Sequence, residues 1–321
     1  MKQIATVAIV GAGTMGRRIA FQCARTGMPC RLFDVEPGVL QQAFAAIRDW
    51  LERSLPPPDV EAALARIEPC TDLARCLEGV DLAIETVPED LALKRRVFAE
   101  IDALAPAHAL LATNSSSIPA SQIADATARP ECVFNVNFNN LPEGDLLVEI
   151  MAAEGVPPGV LAAGEAFLTA IGTVPIVTRR EIMGFAFNRV WRAIKRETLH
   201  LVADGYAHFE DLDRAWILSY GTATGPFATM DVIGLDVIRD VETVYFRASG
   251  DERDRPPAFL ERMIAASRLG VKSGRGFYTY PSPEFERPGW LRKQPPWTPA
   301  QAVDLAPLLS PCTGLQGGRL P

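Results

Sequence analysis

The stretch Thr6-Val-Ala-Ile-Val10-Gly11-Ala-Gly13-Thr-Met-Gly16 decides the fold of this chain. A short β-branched run leads directly into a G-x-G-x-x-G pattern, and a helix is predicted from Thr14 to Gly27. Glycines at this spacing allow a tight turn and a close approach of the backbone to a pyrophosphate, which the amino terminus of the following helix would face. We therefore predict a dinucleotide site that includes Gly11, Gly13, Thr14, Met15 and Gly16.

An acidic residue completes this pattern. Asp34 lies eighteen residues past Gly16, at the end of the second predicted strand. A carboxylate at this position accepts hydrogen bonds from the adenosine ribose hydroxyls. Asp34 and Glu36 would both repel a 2′-phosphate, and no arginine directly follows Asp34 to offset them. The predicted cofactor is therefore NAD and not NADP.

The rest of the first half alternates short β-branched runs with helical stretches, which is typical of a parallel sheet covered by helices. Strands are predicted at Thr6–Val10, Cys30–Phe33, Leu82–Thr86, Ala109–Thr113, Cys132–Asn137, Leu146–Met151 and Val174–Thr178. Helices are predicted at Thr14–Gly27, Pro37–Ser54, Leu91–Leu104 and Pro158–Ile171. We expect an α/β Rossmann-type N-terminal domain with a mostly parallel sheet.

Beyond Gly184 the β signal fades and long helical patterns begin with Phe185–Asp204. We therefore expect an all-α C-terminal domain, with boundaries at 1–182 for the NAD-binding domain and 183–280 for a helical substrate and dimerisation domain. Residues 281–321 form a proline-rich C-terminal extension. Its Trp290 and Trp297 would be costly to leave in water, and Thr298, Pro299 and Gln301 fit the start of one short helix.

Composition narrows the classes of function. The formal net charge of −7 argues against a general affinity for nucleic acid or anionic membrane. No apolar run approaches the length of a membrane span. The six cysteines form no C-x-x-C pair and do not alternate with histidine, so neither a metal site nor a disulfide framework is predicted. We expect a cytoplasmic enzyme with a small-molecule substrate.

Several further motifs occur in a recognisable order. They are Asp81-Leu-Ala-Ile-Glu-Thr-Val-Pro-Glu89, Thr113-Asn-Ser-Ser-Ser-Ile118, Gly184-Phe-Ala-Phe-Asn-Arg189, Gly225-Pro-Phe227, Gly234-Leu-Asp236 and Lys272-Ser-Gly-Arg-Gly-Phe-Tyr278. From residue 6 to 280 this order resembles the 3-hydroxyacyl-CoA dehydrogenase family. The resemblance implies hydride transfer between NAD and a 3-hydroxy or 3-keto acid or its thioester. Relatives of that family include a gulonate dehydrogenase and a diketoreductase, so membership does not fix the substrate.

The resemblance also implies roles for single residues. Ser116 and Asn188 fall at positions that hold the reacting oxygen. Cofactor-contacting positions are occupied by Glu89, Lys94, Asn140 and Lys272. Simpler roles stay open at this point: Ser115, Ser117 and Asn188 as helix caps, and Lys94 as a solvated helix residue.

One departure from the family pattern concerns the general base. The family's His-Phe-x-Asn run is here Asn137-Phe-Asn-Asn140, twenty-one residues after Ser116. An amide holds a hydroxyl in place but does not carry its proton. Asn137 therefore loses the rate enhancement of about 10²- to 10⁴-fold that a general base provides. Glu149 matches the glutamate that orients the missing histidine. The other histidines are poor replacements for this base. His200 lies about three helical turns, roughly 18 Å, beyond Asn188, which is too far for proton transfer. His108 and His208 lie in polar stretches at predicted element ends.

A second departure concerns CoA. Leu55-Pro-Pro-Pro-Asp59 takes the place of a lysine-bearing helix, and Trp50 and Pro57 occupy the positions of a CoA-contacting serine and lysine. Arg192, one helical turn beyond Asn188, is instead a candidate to bind a substrate carboxylate. The alternative is that Arg192, with Arg189 and Arg196, forms a solvated ridge or pairs with an acid across the dimer. The family pairs through its helical domain, so a homodimer is expected.

Two further functions stay open from the sequence alone. One is a catalytically impaired NAD-binding homologue with a regulatory role, in which Ser116 and Glu149 are remnants. The other is an oxidoreductase directed at imines or amines, because a protonated iminium needs no acid at the position of Asn137. Substrate identity and reaction direction are not determined by the sequence.

Overall fold

The computed structural model describes residues 3–138, 147–294 and 305. The chain forms two compact units, residues 1–188 and 189–321. The division falls within the helix Ala186–Ala203, a few residues beyond the boundary predicted at residue 182.

In its described residues the first unit is built on an eight-stranded sheet. The strands are β1 (Val7–Val10), β2 (Cys30–Phe33), β3 (Ile67–Cys70), β4 (Leu82–Glu85), β5 (Leu110–Thr113), β6 (Val133–Phe138), β7 (Leu147–Met151) and β8 (Val174–Thr178). Their order across the sheet is β3-β2-β1-β4-β5-β6-β7-β8. Neighbouring strands are parallel except β6 and β7, which are antiparallel. The predicted mostly parallel sheet is confirmed, and each of the seven predicted strands agrees to within one residue at either end.

Strand β3 was missed because its sequence, Ile67-Glu-Pro-Cys70, places a proline where strands rarely have one. β3 lies at the edge of the sheet and tolerates the missing backbone N–H, because one of its sides has no partner strand among the described residues.

Helices cover both faces of this sheet. They are α1 (Thr14–Arg25), α2 (Pro37–Ser54), α3 (Pro57–Leu64), α4 (Leu73–Leu77), α5 (Leu91–Leu104), α6 (Ser121–Ala124) and α7 (Pro158–Ala170). One buried apolar cluster joins the sheet to α1, α2, α3 and α7, and another joins it to α4, α5 and α6. The interpretation of Leu55–Asp59 as a replacement for a helix was wrong, because α3 begins at Pro57. Prolines suit a first helical turn, where a backbone N–H has no helical acceptor. Helix α3 nevertheless carries no lysine.

The second unit is helical over its described residues, as predicted. Its helices are α8 (Ala186–Ala203), whose first three residues belong to the first unit, α9 (Phe209–Tyr220), α10 (Pro226–Ile233), α11 (Leu235–Ser249) and α12 (Ala258–Ala265). Aromatic rings fill its core, with Phe209 in contact with Phe227, Phe277 and Tyr278. Trp290 is fully buried in the same core. Trp297 and the predicted helix start at Thr298 lie outside the described residues.

Two further observations concern the apolar character of the helices and the state of the cysteines. Among the helices that the structure describes, none combines the length and apolar character needed to cross a membrane. The five described cysteines carry free thiols, and four of them are buried; Cys312 lies outside the described residues.

Candidate active site

The glycine loop joins β1 to α1 and has little room for side chains. Gly11 has φ of +110°, which favours glycine, and its N–H donates to the carbonyl of Phe33 over 2.8 Å. A Cβ on Gly16 would lie 1.8 Å from the Gly11 carbonyl oxygen. A Cβ on Gly13, by contrast, would meet no atom within 4 Å. Gly16 is therefore needed for the turn itself, whereas Gly13 leaves the space beside the loop open.

Asp34 is fixed at the end of β2. Its Oδ2 accepts from the N–H of Ala12 over 2.9 Å, and its Oδ1 accepts from the N–H of Glu36 over 3.1 Å. The carboxylate faces a cavity of about 720 Å³. The predicted residues that line this cavity are Gly11, Gly13, Thr14, Met15, Asp34, Glu89, Lys94 and Ser116. A glycine loop, a helix start and an acid on one cavity suit NAD.

A buried ion pair lies under the wall of this cavity. Lys94 Nζ contacts Glu85 Oε1 at 2.9 Å, and both side chains are almost completely buried. The hydroxyl of Thr113 donates to Glu85 over 2.7 Å. Burial raises the pKa of Glu85 despite the opposing charge of Lys94 and these hydrogen bonds. The alternative of Lys94 as a solvated residue is therefore wrong, and Glu85 is a residue to which sequence reasoning gave no role.

Glu89 connects Lys94 to the serine run. Its carboxylate lies 3.2 Å from Lys94 Nζ and accepts from the hydroxyls of Ser115 and Ser117. Burial opposes ionisation, but these hydrogen bonds and Lys94 together hold the pKa of Glu89 below its usual range. Neither serine caps a helix, because α6 begins only at Ser121. Their hydroxyls fix the loop that presents Ser116, which is exposed and lines the cavity.

The loop of Ser116 is also fixed to β6. Asn114 Oδ1 accepts from the N–H of Phe138 over 3.1 Å. Asn135 accepts from the N–H of Ala120 and donates to the carbonyl of Ile118 over 3.1 Å. Neither asparagine was among the predicted site residues, although Asn114 lies within a quoted motif. Together they place the exposed Ser116 at the carboxyl ends of β5 and β6.

Asn137 and Glu149 face each other across β6 and β7 as direct ladder partners. Both are buried, with Asn137 4% and Glu149 0% exposed. Glu149 Oε1 accepts from the N–H of Phe187 over 2.7 Å, in the first turn of α8. Burial raises the pKa of Glu149 although the N–H groups of Phe187, Ala186 and Asn188 oppose this. Helix α8 begins at Ala186, so Asn188 does not cap it.

Two other predicted residues, Lys272 and Arg192, belong to the helical unit. In the helical unit, Lys272 Nζ contacts Asp236 Oδ1 at 2.5 Å, so its cofactor role stays a prediction. Arg192 contacts Glu242 at 3.1 Å and Asp254 at 2.7 Å, and its guanidinium covers the ring of Tyr245. Arg192 thus pairs with acids of its own chain, whereas the alternative considered from the sequence was an acid across the dimer, and its substrate role stays a prediction. Asn140 lies outside the described residues.

The histidines have surroundings of their own. His108 contacts Asp81 at 3.3 Å, and Asp81 accepts from the N–H groups of Ala5 and Thr6 just before β1. His108 is therefore at the amino ends of the parallel strands, opposite the glycine loop. In the helical unit, His200 Nε2 lies 3.0 Å from the carbonyl oxygen of Arg253, and His208 immediately precedes α9.

Two cations flank Trp50, which occupies the position of the CoA-contacting serine. The guanidinium carbons of Arg17 and Arg18 lie 5.7 and 5.9 Å from the centre of its ring. Burial and the charge of Arg17 lower the pKa of Arg18. These arginines were not predicted from the sequence, because they lie on α1 and meet Trp50 only where α1 packs against α2.

The chain matches two family models in succession. Residues 6–182 match the 3-hydroxyacyl-CoA dehydrogenase NAD-binding domain, and residues 184–280 match the 3-hydroxyacyl-CoA dehydrogenase C-terminal domain.

Individual proteins are similar over most of the chain. A 5-formyl-3-hydroxy-2-methylpyridine 4-carboxylate 5-dehydrogenase from Mesorhizobium japonicum is 32% identical over 286 residues, which are 86% of this chain and 91% of the relative. A 3-hydroxybutyryl-CoA dehydrogenase from Mycobacterium tuberculosis is 33% identical over 283 residues, 86% of this chain and 99% of the relative. The crystal structure of (S)-3-hydroxybutyryl-CoA dehydrogenase from Ralstonia eutropha has a TM-score of 0.80 at 32% identity, and the match covers 87% of this chain and 99% of that one.

Proposed function

Because the chain belongs to the 3-hydroxyacyl-CoA dehydrogenase family, we propose that it transfers hydride between NAD and a 3-hydroxy or 3-keto acid or its thioester. It is an NAD-dependent oxidoreductase of the type that acts on CH–OH groups. NAD supplies the hydride acceptor when bound. The protein supplies the glycine loop for the pyrophosphate, Asp34 for the ribose and a set of polar groups for the substrate oxygen.

The observation that carries this proposal is the position of Ser116. Its loop lines the cofactor cavity on one side and is hydrogen-bonded on the other to β6, the strand that presents Asn137. A substrate oxygen bound beside Ser116 therefore lies at the mouth of the dinucleotide site. Hydride transfer needs this proximity of two bound reactants.

Each site residue has a proposed role. Ser116 and Asn188 bind the reacting oxygen, and Asn137 contributes an amide donor beside it. Glu89 and Lys94 hold the cavity wall against the cofactor, with Asn140 and Lys272 as further cofactor contacts. Asn137 replaces the family's histidine, so the proton of the hydroxyl group needs another carrier.

The names of the relatives suggest two classes of substrate. One is named for 3-hydroxybutyryl-CoA and another for an aromatic carboxylate that bears a formyl group. Arg17 and Arg18 beside Trp50 favour a thioester, because CoA is a polyanion that attracts guanidinium groups. The pairing of Arg192 with two acids disfavours a free carboxylate bound at that position.

An assay of the purified protein tests this proposal. NADH oxidation is followed with acetoacetyl-CoA, free acetoacetate and an aromatic aldehyde carboxylate, and NAD reduction with the corresponding alcohols. We expect turnover with acetoacetyl-CoA and tighter binding of NADH than of NADPH. The absence of turnover with all three classes would contradict the proposed function.

A homodimer is the second part of the proposal. Val237, Val241 and Val244 recur at i, i+4 and i+7 on α11, and all three are exposed. An apolar stripe of this kind marks an association surface. Val241→Asp should convert a dimer into a monomer in sedimentation velocity, whereas Leu104→Asp, at an exposed apolar position of the first unit, should not. A monomeric parent protein at micromolar concentration would contradict this part.

We further propose that the protein acts in the cytoplasm. Four buried free thiols support this location, because thiols stay reduced in the cytoplasm. Fractionation of the source cells, with detection of the native protein, tests it.

A further inference from the structure

Asn137 and Glu149 share an unusual feature of hydrogen bonding. As direct partners in an antiparallel ladder they lie on the same face of the sheet, with Cβ atoms about 4.5–5.5 Å apart. Asn137 Nδ2 and Glu149 Oε2 are both buried, and neither has a hydrogen-bond partner among the described residues. One atom is a donor and the other an acceptor. A buried polar atom without a partner is costly, and one third group that accepts from Nδ2 and donates to Oε2 would satisfy both atoms.

The other oxygen of Glu149 fixes the orientation of the carboxylate. Oε1 accepts from the N–H of Phe187, at the start of α8. The amino terminus of a helix favours a negative charge. Glu149 is thus held with Oε1 toward the helix and Oε2 available toward Asn137.

Among the described residues of the first unit, no other titratable side chain lies on the elements that flank this pair. Strands β6 and β8, on either side of β7, carry no titratable side chain, and Ala186, Phe187 and Asn188 are uncharged. His108 lies at the opposite edge of the sheet. Within the described part of the first unit, Glu149 is therefore the titratable side chain closest to Asn137 in the ladder.

We infer that Glu149 Oε2 carries the hydroxyl proton of the substrate and that Asn137 is a positioning residue for this transfer. The inference rests on the proposed function. In the oxidation, the C–H bond breaks and its electron pair leaves as hydride to NAD, while the O–H bond breaks and the carbonyl forms. The proton passes through one water, which accepts from Asn137 Nδ2, to the Glu149 carboxylate. Glu149 later releases it to solvent, and the reduction runs the same steps in reverse.

The surroundings of Glu149 suit this task. Burial raises the pKa of its carboxyl group, and the N–H groups of the first turn of α8 only partly offset this. A base is most effective when its pKa lies close to the working pH. An ordinary exposed glutamate, with a pKa of about 4.3, would be a weaker proton acceptor near neutrality.

The pH dependence of turnover tests the inference. With (S)-3-hydroxybutyryl-CoA and NAD, kcat/KM of the parent should fall on acidification as Glu149 becomes protonated. Glu149→Gln should lower kcat about 10²- to 10⁴-fold and remove this acid limb, with NADH affinity unchanged. Asn137→Ala should lower the rate but keep the limb. Asn137→His should raise the rate and replace the limb with one near the histidine pKa of about 6.5.

The outcomes separate the two proposals. The inference would be overturned, with the proposed function intact, if the parent turns over and Glu149→Gln either keeps the acid limb or loses less than about tenfold in rate. Should Glu149→Gln fail to fold, a parent profile without an acid limb above the ordinary glutamate pKa of about 4.3 would overturn it alone. No turnover in either the parent or Asn137→His would overturn both proposals.

Discussion

Lys94 Nζ lies 2.9 Å from Glu85 Oε1 in the interior of the first unit, and the two side chains are 2% and 0% exposed. Lys94 also donates to the carbonyl of Val87 over 3.1 Å and contacts Glu89 at 3.2 Å. One cation thus joins the end of β4 to the loop that carries Glu89, beside the cofactor cavity. The contribution of this buried pair to the stability of the unit can therefore be tested with variants of Lys94 and Glu85.

Lys94→Met should destabilise the first unit by about 3–5 kcal/mol, because it leaves Glu85 buried without its cation. The double variant Glu85→Gln with Lys94→Met should lose less free energy of unfolding than the two single variants lose when their losses are added. Denaturant unfolding of the four proteins gives this coupling energy. Strict additivity would mean that the pair does not interact as the distance indicates.

Gly16→Ala and Gly13→Ala should differ in their effects on thermal stability and NADH binding. A methyl group on Gly16 would overlap the Gly11 carbonyl oxygen at 1.8 Å, so we expect a lower melting temperature and no NADH binding. A methyl group on Gly13 meets no protein atom within 4 Å, so that variant should keep its stability and lose only NADH affinity. Thermal unfolding and NADH fluorescence titration measure both effects. Equal loss of stability in the two variants would contradict this interpretation of the loop.

Much of the first unit followed from local patterns. The glycine loop, Asp34 and seven strands were predicted because each depends on residues close together in sequence. Helix α3 was missed because three consecutive prolines resemble a linker. In the structure Pro56 precedes the helix, and Pro57 and Pro58 lie in its first turn. The partner of Lys94 was missed because it depends on how α5 lies over β4, which no spacing within either element reports.

The site shows the same limit over longer separations. Glu149 was expected to lack a partner because the family's histidine is absent. In the structure it binds the backbone of Phe187, thirty-eight positions away. Arg192 was considered for a substrate carboxylate, but Glu242, fifty positions away, already contacts it. Backbone donors and distant acids carry no sequence motif, so only the fold reveals them.

Arg17 and Arg18 provide a test for a CoA substrate. The double variant Arg17→Ala with Arg18→Ala should raise KM for acetoacetyl-CoA about fivefold, as expected for the loss of roughly 1 kcal/mol of charge attraction at a surface. KM for free acetoacetate should not change. Arg25→Ala is the matched control, since Arg25 lies on the same helix over the ring of Phe21. An equal rise of KM for both substrates, or the same effect from Arg25→Ala, would remove Arg17 and Arg18 as CoA contacts.

The helical unit should become more stable as pH falls from 8 to 6. Burial raises the pKa of Asp213 to about 7, although the N–H groups of Phe227 and Ala228 and the hydroxyl of Tyr278 oppose this. A carboxyl group whose pKa is raised in the folded state binds its proton more tightly there than in the unfolded chain. Its stabilising contribution is therefore complete below about pH 4 and is lost as pH rises through about 7.

Over the interval from pH 8 to 6 the expected gain is about 1 kcal/mol, since one pKa unit corresponds to about 1.4 kcal/mol. Denaturant unfolding followed by tryptophan fluorescence, to which the buried Trp290 of this unit contributes, measures it. Asp213→Asn should be less stable at every pH, because its amide accepts fewer of the N–H groups, and its stability should change little between pH 6 and 8. If the parent instead gains stability as pH rises over this interval, Asp213 is ionised throughout and its hydrogen bonds outweigh its burial.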